Sequence, residues 1–427
     1  MTGDEWWRPL PRGFSTDALR VLAGRSVRAF ADGFVSLLLP IYLLRLGFSA
    51  LAIGAIITST LLGSALLTLV LGLIAHRYSR RRMLYAACLL MAATGAGFAL
   101  THQYWLILAI AFVGTLNPSA GDVSVFLPLE HTVLAETVSP RRRTALFARY
   151  SLVGTLLGAV GTLAASLPDV AAAHFGISRL AAVQSTFWVY GALGLVALLL
   201  YRPLSAAVEA PRAATVARPA LGQSKHIVYS LAALFSIDAF GGGFFVQSLL
   251  ALWLFQAFHL SVVTASSILF WSSVCAALSF LVAVPVSERI GLINTMVFTH
   301  LPSNIFLILV PFAPNLATAI VLLLARNALS QMDVPTRTSY VMAVVTPEER
   351  PAAASITAVP RSLASAASPI LAGYLLTLSS FGWPLIIGGA LKAVYDVLLL
   401  VKFRGVRAAE EHRAPHGVTA PRSMGNN

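Results

Sequence analysis

An all-α, polytopic membrane protein is the fold class this sequence predicts, and three observations predict it. Charged residues are 11% of the 427-residue chain and apolar residues 57%, whereas soluble domains carry about 25% charged residues. Residues 50–75 contain no Asp, Glu, Lys, Arg or His, and about 20 such residues span a bilayer core as a helix. Further stretches free of Asp, Glu, Lys and Arg occupy 83–121, 150–168, 180–201, 239–287, 292–325 and 362–391, the longest holding two crossings each.

Breaks between these stretches place twelve transmembrane helices. The first six lie near 20–45, 50–75, 82–101, 104–129, 142–167 and 180–201. Gly47-Phe48-Ser49 turns the first into the second, and Pro168-Asp169 opens the fifth loop. The other six lie near 226–257, 261–286, 292–312, 315–340, 351–378 and 382–402, with Pro311 and Pro314-Asn315 marking one link. Residues 202–225 are polar and carry Pro203, Pro211, Pro219 and Gly222. They divide the chain into an N-terminal six-helix bundle (1–201), a central loop (202–225), a C-terminal bundle (226–402) and a tail (403–427).

Basic residues orient the helices. Arg8, Arg12, Arg77, Arg80–Arg82, Arg141–Arg143, Arg202, Arg212, Arg218, Lys225, Arg289, Arg350, Lys402, Arg404, Arg407, Arg413 and Arg422 fall on one side, against Arg45 and Arg179 on the other. The positive-inside rule makes the rich side cytoplasmic, with both termini there. This placement accounts for most of the net charge of +13 without nucleic acid. No GxxxxGK[ST] loop is present to power an ATP-driven pump, and no HExxH or CxxC spacing is present for a metal. Cys88 and Cys275 fall in apolar stretches and read as buried thiols. The start, Asp4-Glu5-Trp6-Trp7-Arg8, lacks a signal-peptide pattern, so the first helix is expected to be retained.

The halves echo each other. Ser49 to His76 covers helix 2 and its exit, and Ser261 to Glu288 covers helix 8 and its exit over the same length. Gly72…His76-Arg77-Tyr78-Ser79-Arg80-Arg81 thereby falls on Val284…Glu288-Arg289-Ile290-Gly291. Further on, Pro128 falls on Pro335, Ser139-Pro140 on Thr346-Pro347, and Arg143 on Arg350. Two six-helix bundles around a shared cleft are the parallel-repeat plan of many secondary transporters. At these residues the chain resembles the major facilitator superfamily over nearly its whole length. Gly72, Arg77, Arg80 and Arg81 match that family's G-x-x-x-D-[RK]-x-G-[RK]-[RK] loop, with His76 in place of Asp and Ser79 in place of Gly. The helix 4 arginine motif is not recognisable in Gly114-Thr115-Leu116-Asn117-Pro118, and the antiporter motif of helix 5 survives only as Gly154, Gly158 and Gly161. The resemblance implies a pseudo-symmetric fold working by alternating access.

Charges inside the membrane mark the candidate site. An ionised side chain near the bilayer centre costs about 2.5–3.5 kcal/mol on insertion scales, so such groups must face each other, water or substrate. Arg25, Arg28 and Asp32 share one face of helix 1, and Arg326, Asp333 and Arg337 one face of helix 10. Asp122, Asp238 and Arg361 lie in helices 4, 7 and 11. Pairs such as Arg28–Asp32 or Asp333–Arg337 can neutralise themselves at i,i+4. Asp238, Asp32 and Asp333 are the proton-coupling candidates, and Arg25, Arg28, Asp122, Arg326 and Arg361 the substrate-cavity candidates. Asp238, with no charged neighbour on its own helix unless Arg326 or Arg361 reaches it, is expected to carry the proton. Asp32 is expected to make an ion pair or a substrate contact. The glycine run Gly241–Gly243 fits either close helix packing or a broken helix. Trp253 and Trp271, with Phe240, Phe244 and Phe245, read as packing or interfacial aromatics, and His131 and His300 as satisfied polar contacts. The resemblance places a cytoplasmic gate at the signature loops: His76 and Arg77 with Glu130, and Glu288 with Arg337, beside Arg289.

The expected function is transport of a small organic solute, coupled to protons, with export favoured over uptake. The alternatives are a symporter or facilitator for metabolite uptake and, from a different class, a transporter-like receptor without net flux. No nucleophile–base constellation is found for an enzyme, and no cofactor is expected. The expected partners are the solute, protons and the lipid bilayer, with the chain as a monomer. Arginine outnumbers lysine 27 to three, as in GC-rich bacterial genomes, so the expected location is a bacterial inner membrane.

Overall fold

The computed structural model describes residues 15–74, 78–119, 124–137, 140–209, 221–346 and 349–404. The first half holds α1 (Thr16–Arg45), α2 (Ala50–Ile74), α3 (Arg80–Leu100), α4 (Tyr104–Val113), α5 (Phe126–Thr137), α6 (Pro140–Ala164), α7 (Leu167–Phe175) and α8 (Arg179–Tyr201). The second holds α9 (Lys225–Gly243), α10 (Gln247–Phe258), α11 (Val262–Ile290), α12 (Leu292–Leu309), α13 (Leu316–Ser330), α14 (Asp333–Ala343), α15 (Arg350–Leu378) and α16 (Trp383–Phe403). Among the described residues, sixteen α-helices serve twelve crossings, because three crossings are split and α7 lies between two crossings.

The split crossings correct the expectation of continuous helices, and their causes are local. Proline lacks an N–H, and its ring collides with the carbonyl four residues earlier. Pro128 therefore blocks a helix through Ser124, and α5 starts at Phe126; Pro335 blocks one through Gln331, and α14 starts at Asp333. The third break follows Gly241–Gly243, where the chain leaves helical geometry at Val246 (φ −49°, ψ 153°). Nine segments among the described residues are long and apolar enough to cross a membrane. The remaining three crossings are α4–α5 and α13–α14, which are broken, and α15, which carries Arg361 beside Pro360.

Contacts between the halves gather at one end. Here α2 packs on α15, α6 on α11, and α1 on α10. A side chain at Gly54 would strike the Pro369 carbonyl and Gly373, so the α2–α15 approach requires glycine on both helices. The free amide of Leu51 donates to Thr377 Oγ1 at 3.1 Å, and the Ile370 amide to Thr58 Oγ1 at 2.9 Å. The Ser248 amide donates to the Pro118 carbonyl at 3.0 Å, and Gln247 Nε2 to Thr162 Oγ1 at 3.1 Å.

At the other end, where the basic loops lie, burial fails. No residue from 65 to 71 of α2 is buried, and Ala358, Val359, Pro360 and Arg361 of α15 are exposed around a full turn. A helix exposed on every face has lipid on one side and an open cleft on the other. The cleft therefore opens toward the basic loops. Gly291, at φ +85°, makes the sharp turn from α11 to α12 at that end.

Overpacking costs about 1–3 kcal/mol, which is about five- to 150-fold in a two-state ratio. Gly373→Leu should therefore open the sealed end and raise thiol labelling of Gln247→Cys from that side. Unchanged labelling would show that the α2–α15 contact does not hold this state.

Candidate coupling and substrate site

In the first half, four helices converge on Glu130, which is fully buried. Arg28 of α1 pairs with it through Nη2, while Tyr150 of α6 and Tyr201 of α8 donate their hydroxyls to its two oxygens. The Arg28 guanidinium also lies 3.9 Å from the centre of the Phe126 ring. Gly24 makes room for Tyr201, whose ring occupies the place of a β-carbon. Arg25, buried one turn before Arg28, lies 5.0 Å over the Tyr150 ring. Low dielectric strengthens such charge-assisted bonds, and the same burial makes an unpaired member costly.

Asp32 is buried one turn beyond Arg28, but Arg28 is committed to Glu130. The hydrogen-bonding partner of Asp32 is Asn117, from the broken stretch after α4. No cation among the described residues lies within 4.0 Å of its carboxylate. Asp32, expected to make an ion pair or a substrate contact, therefore makes no ion pair among the described residues.

The second half repeats the arrangement with the signs exchanged. Arg337, the repeat counterpart of Glu130, lies on α14 and donates to Asp238 Oδ2 at 3.0 Å. Thus an acid on the fourth crossing meets an arginine on the first, and an arginine on the tenth meets an acid on the seventh. Asp238 also takes Lys392 of α16 at 2.5 Å, with His300 of α12 at 3.9 Å. Arg337 holds Asp333 at 3.5 Å, one turn away. His300 in turn meets Asp396 at 2.9 Å, and Asn304 reaches the same carboxylate at 2.8 Å. Asp238, expected to stand apart from charge, is instead the most heavily paired acid in the protein's described interior. Gly241 and Gly388 allow this: each would drive a side chain into the other's carbonyl, and their close approach brings Lys392 to Asp238.

Arg326 and Arg361 have no carboxylate partner among the described residues. Arg326 donates to Asn327 Oδ1 at 2.7 Å and lies 5.0 Å over Phe245. Arg361 is exposed on the cleft-facing stretch of α15, within Coulombic range of Asp238, Asp333 and Arg337.

The expected gate is not formed as drawn. Glu130 is turned inward to Arg28 and the tyrosines because a buried carboxylate with three donors is fully satisfied there. Glu288 is exposed beside exposed Arg289 at the end of α11, whereas Arg337 is buried on Asp238 and Asp333. His76, Arg77 and Asp122 lie outside the described residues. Trp253 is buried and donates to the Ser380 carbonyl at 3.1 Å, whereas Trp271 is exposed. His131 packs on Phe147 and Tyr150. Lys392 and Asp396 escaped sequence reasoning, although two charges at i,i+4 in an otherwise apolar helix carry the same insertion cost as the residues it found.

Each end of the central loop is tied to its own half. Glu209 accepts from Ser79 Oγ at 2.5 Å, from the Arg80 amide at 2.9 Å and from Arg81 Nε at 3.1 Å, capping α3. Burial pushes its carboxyl up, but the Ser79 and amide hydrogen bonds outweigh this and hold it below the ordinary value of 4.5. Asp17 binds Ser205, and Glu349 takes the amides of Gly222 and Ser224.

Helical halves that touch at one end, with buried charge on both sides of an open cleft, define a membrane solute carrier. The family model of the Major Facilitator Superfamily matches residues 21–252 and again 231–424. The chain belongs to that family of transporters. It is similar to the uncharacterized membrane protein YJR124C of Saccharomyces cerevisiae, 22% identical across 92% of this chain and 95% of that protein. The nucleoside transporter NupG superposes with a TM-score of 0.71 at 15% identity, over 91% of this chain and all of that one. A bacterial homolog of the human lysosomal transporter Spinster, solved inward-facing and unoccupied, gives 0.66 at 13% identity over 90% and 95% of the two chains. These likenesses establish the shared fold.

Two outcomes follow. Glu130→Gln should cost about 3–5 kcal/mol by leaving Arg28 buried and unpaired, and adding Arg28→Met should recover part of that loss in thermal unfolding. Equal melting of the single and double variants would contradict the buried pair. The Glu209 cap, worth about 1 kcal/mol, is complete above about pH 4.5 and is lost as pH falls below that value. Amide exchange at 79–82 should rise in that window and become insensitive to it in Glu209→Gln; identical profiles would contradict the cap.

Proposed function

We propose that this protein is a secondary active transporter in a bacterial inner membrane, moving a small organic solute by alternating access in exchange for protons. One observation carries the reading: every ion pair among the described residues lies within one half. The bonds that cross between halves involve only neutral serine, threonine, glutamine and backbone groups. Closing one end and opening the other then breaks weak, re-formable contacts, each worth about 0.5–1.5 kcal/mol net, and exposes no buried ion pair. A two-state equilibrium of this kind is what a solute and a driving ion can bias.

In this reading residues 1–201 and 226–402 rock as the two units, joined by 202–225, and the chain works as a monomer. The basic loops, both termini and the tail 403–427 face the cytoplasm, so the cleft described above is open inward. Asp32 is the proton carrier, because it can take and release a proton without breaking an ion pair. Asp238 and Asp333 serve as counter-ions that fix Arg337 and Lys392. Export is the proposed direction, since α6 partly matches the antiporter pattern; its Gly158 and Gly161 pack directly on the backbone of α1, which carries Asp32. A gate at the basic loops would form in the opposite, outward-open state.

Flux of a solute panel in proteoliposomes tests this. Asp32→Asn should abolish solute movement driven by a pH gradient while leaving solute exchange intact. Gradient-driven movement that survives in Asp32→Asn would remove the proposed proton route. Solute flux indifferent to the gradient in the wild type would make the protein a facilitator.

A further inference from the structure

The charge balance of the second half leaves a residue. Around the cleft its membrane-spanning helices carry Arg326, Arg337, Arg361 and Lys392 with Asp238, Asp333 and Asp396; Arg337, Lys392 and the three carboxylates are buried, Arg326 is half-buried and Arg361 is exposed. All three carboxylates are taken: Asp238 by Arg337 and Lys392, Asp333 by Arg337, and Asp396 by His300 and Asn304. Arg361 makes no hydrogen bond or ion pair with any described residue, and Arg326 has one amide partner and a buried Nε without a partner. Arg361 stands on the turn of α15 that is open to the cleft. Arg326 is held with its guanidinium over the Phe245 ring.

An arginine without a counter-ion at membrane depth must be met by water or by an anion, and the open cleft admits both. Arginine's planar fork matches a carboxylate or phosphate bidentately, which a lysine cannot do. Resting on the transport reading above, we propose that Arg361, assisted by Arg326, binds an oxyanion group of the solute, so that the transported class is organic anions carrying a carboxylate or phosphate.

The same chemistry is present on an anionic lipid headgroup, which could enter the open cleft, and the experiment separates the two sources. The protein is reconstituted in phosphatidylcholine nanodiscs and its thermal unfolding is followed with succinate, benzoate, glycerol 3-phosphate, uridine and tetraethylammonium. At least one of the three anions should stabilise the wild type, while uridine and tetraethylammonium should not. Arg361→Gln should weaken that anion's binding about ten- to hundredfold, as loss of a charged hydrogen-bonding partner predicts, with the ligand-free melting point unchanged because Arg361 holds nothing in the fold. Arg361→Lys should retain part of the affinity, and Arg326→Gln should weaken it less than Arg361→Gln.

No stabilisation by any anion, or equal binding in Arg361→Gln, overturns the assignment. So does stabilisation by phosphatidylglycerol alone, which would make this a lipid site. Flux of uridine or tetraethylammonium that is driven by a pH gradient and unaffected by Arg361→Gln would overturn the anion assignment while leaving transport intact. Anion binding lost in Arg361→Gln without gradient-driven flux would do the reverse.

Discussion

Each half of this protein must neutralise its own buried charge, and the rest of the structure is arranged around that constraint. A guanidinium or carboxylate taken out of water costs several kcal/mol unless a partner with good geometry is already in place. The first half meets the requirement with Arg28, Glu130 and two tyrosines drawn from four helices. The second meets it with the opposite signs, Arg337 on Asp238, and adds Lys392 and His300. The acid–arginine pair joins the same two crossings in each repeat, so the pseudo-symmetry lies in position and the chemistry is inverted.

That constraint determines what is free to change. With the ion pairs kept inside the halves, the sealed end is left to glycine contacts and single neutral hydrogen bonds. Gly54 and Gly373 permit backbone approach that any side chain would prevent. Such packing is the usual basis of helix association in lipid, where no hydrophobic force draws helices together. The central loop follows the same logic: Asp17 and the α3 cap hold one end to the first half, and Glu349 holds the other end to the second. Among the described residues, Asp32 in one half and Arg326 and Arg361 in the other make no ion pair, and these are the groups proposed to take a proton and a solute.

Much of the fold was legible in the sequence because lipid imposes a single requirement, about 20 apolar residues per crossing. The twelve crossings and their order follow from it, and matched residues such as Pro128 and Pro335 add the repeat. The splits in the fourth and tenth crossings were legible too, since Pro128 and Pro335 are repeat mates, but a pattern search for apolar length passes over a proline. Intramembrane charges were found by their insertion cost, which identifies expensive residues without identifying their partners. Arg28 was expected to serve Asp32 at i,i+4, yet Glu130, far away in sequence, took it; Asp238 was expected to be isolated, yet Arg337 of α14, Lys392 of α16 and His300 of α12 surround it. Sequence spacing reports neighbours on one helix. The pairing here is between helices, set by glycines such as Gly241 and Gly388 that decide how close two helices come.

The central claim is that the halves move as units, each carrying its ion pairs, and distances between spin labels test it most directly. Labels at Tyr78 and Ile290, both exposed at the basic-loop end of opposite halves, report separation of the halves. Pairs within one half, Tyr78 with Leu199 and Ile290 with Val401, report internal change. Measured in nanodiscs across a pH series, in a background lacking Cys88 and Cys275, the inter-half distance should switch between two populations while both intra-half distances stay single and fixed. Intra-half distances that shift together with the inter-half one would contradict the account, because the buried networks would then be breaking during the cycle.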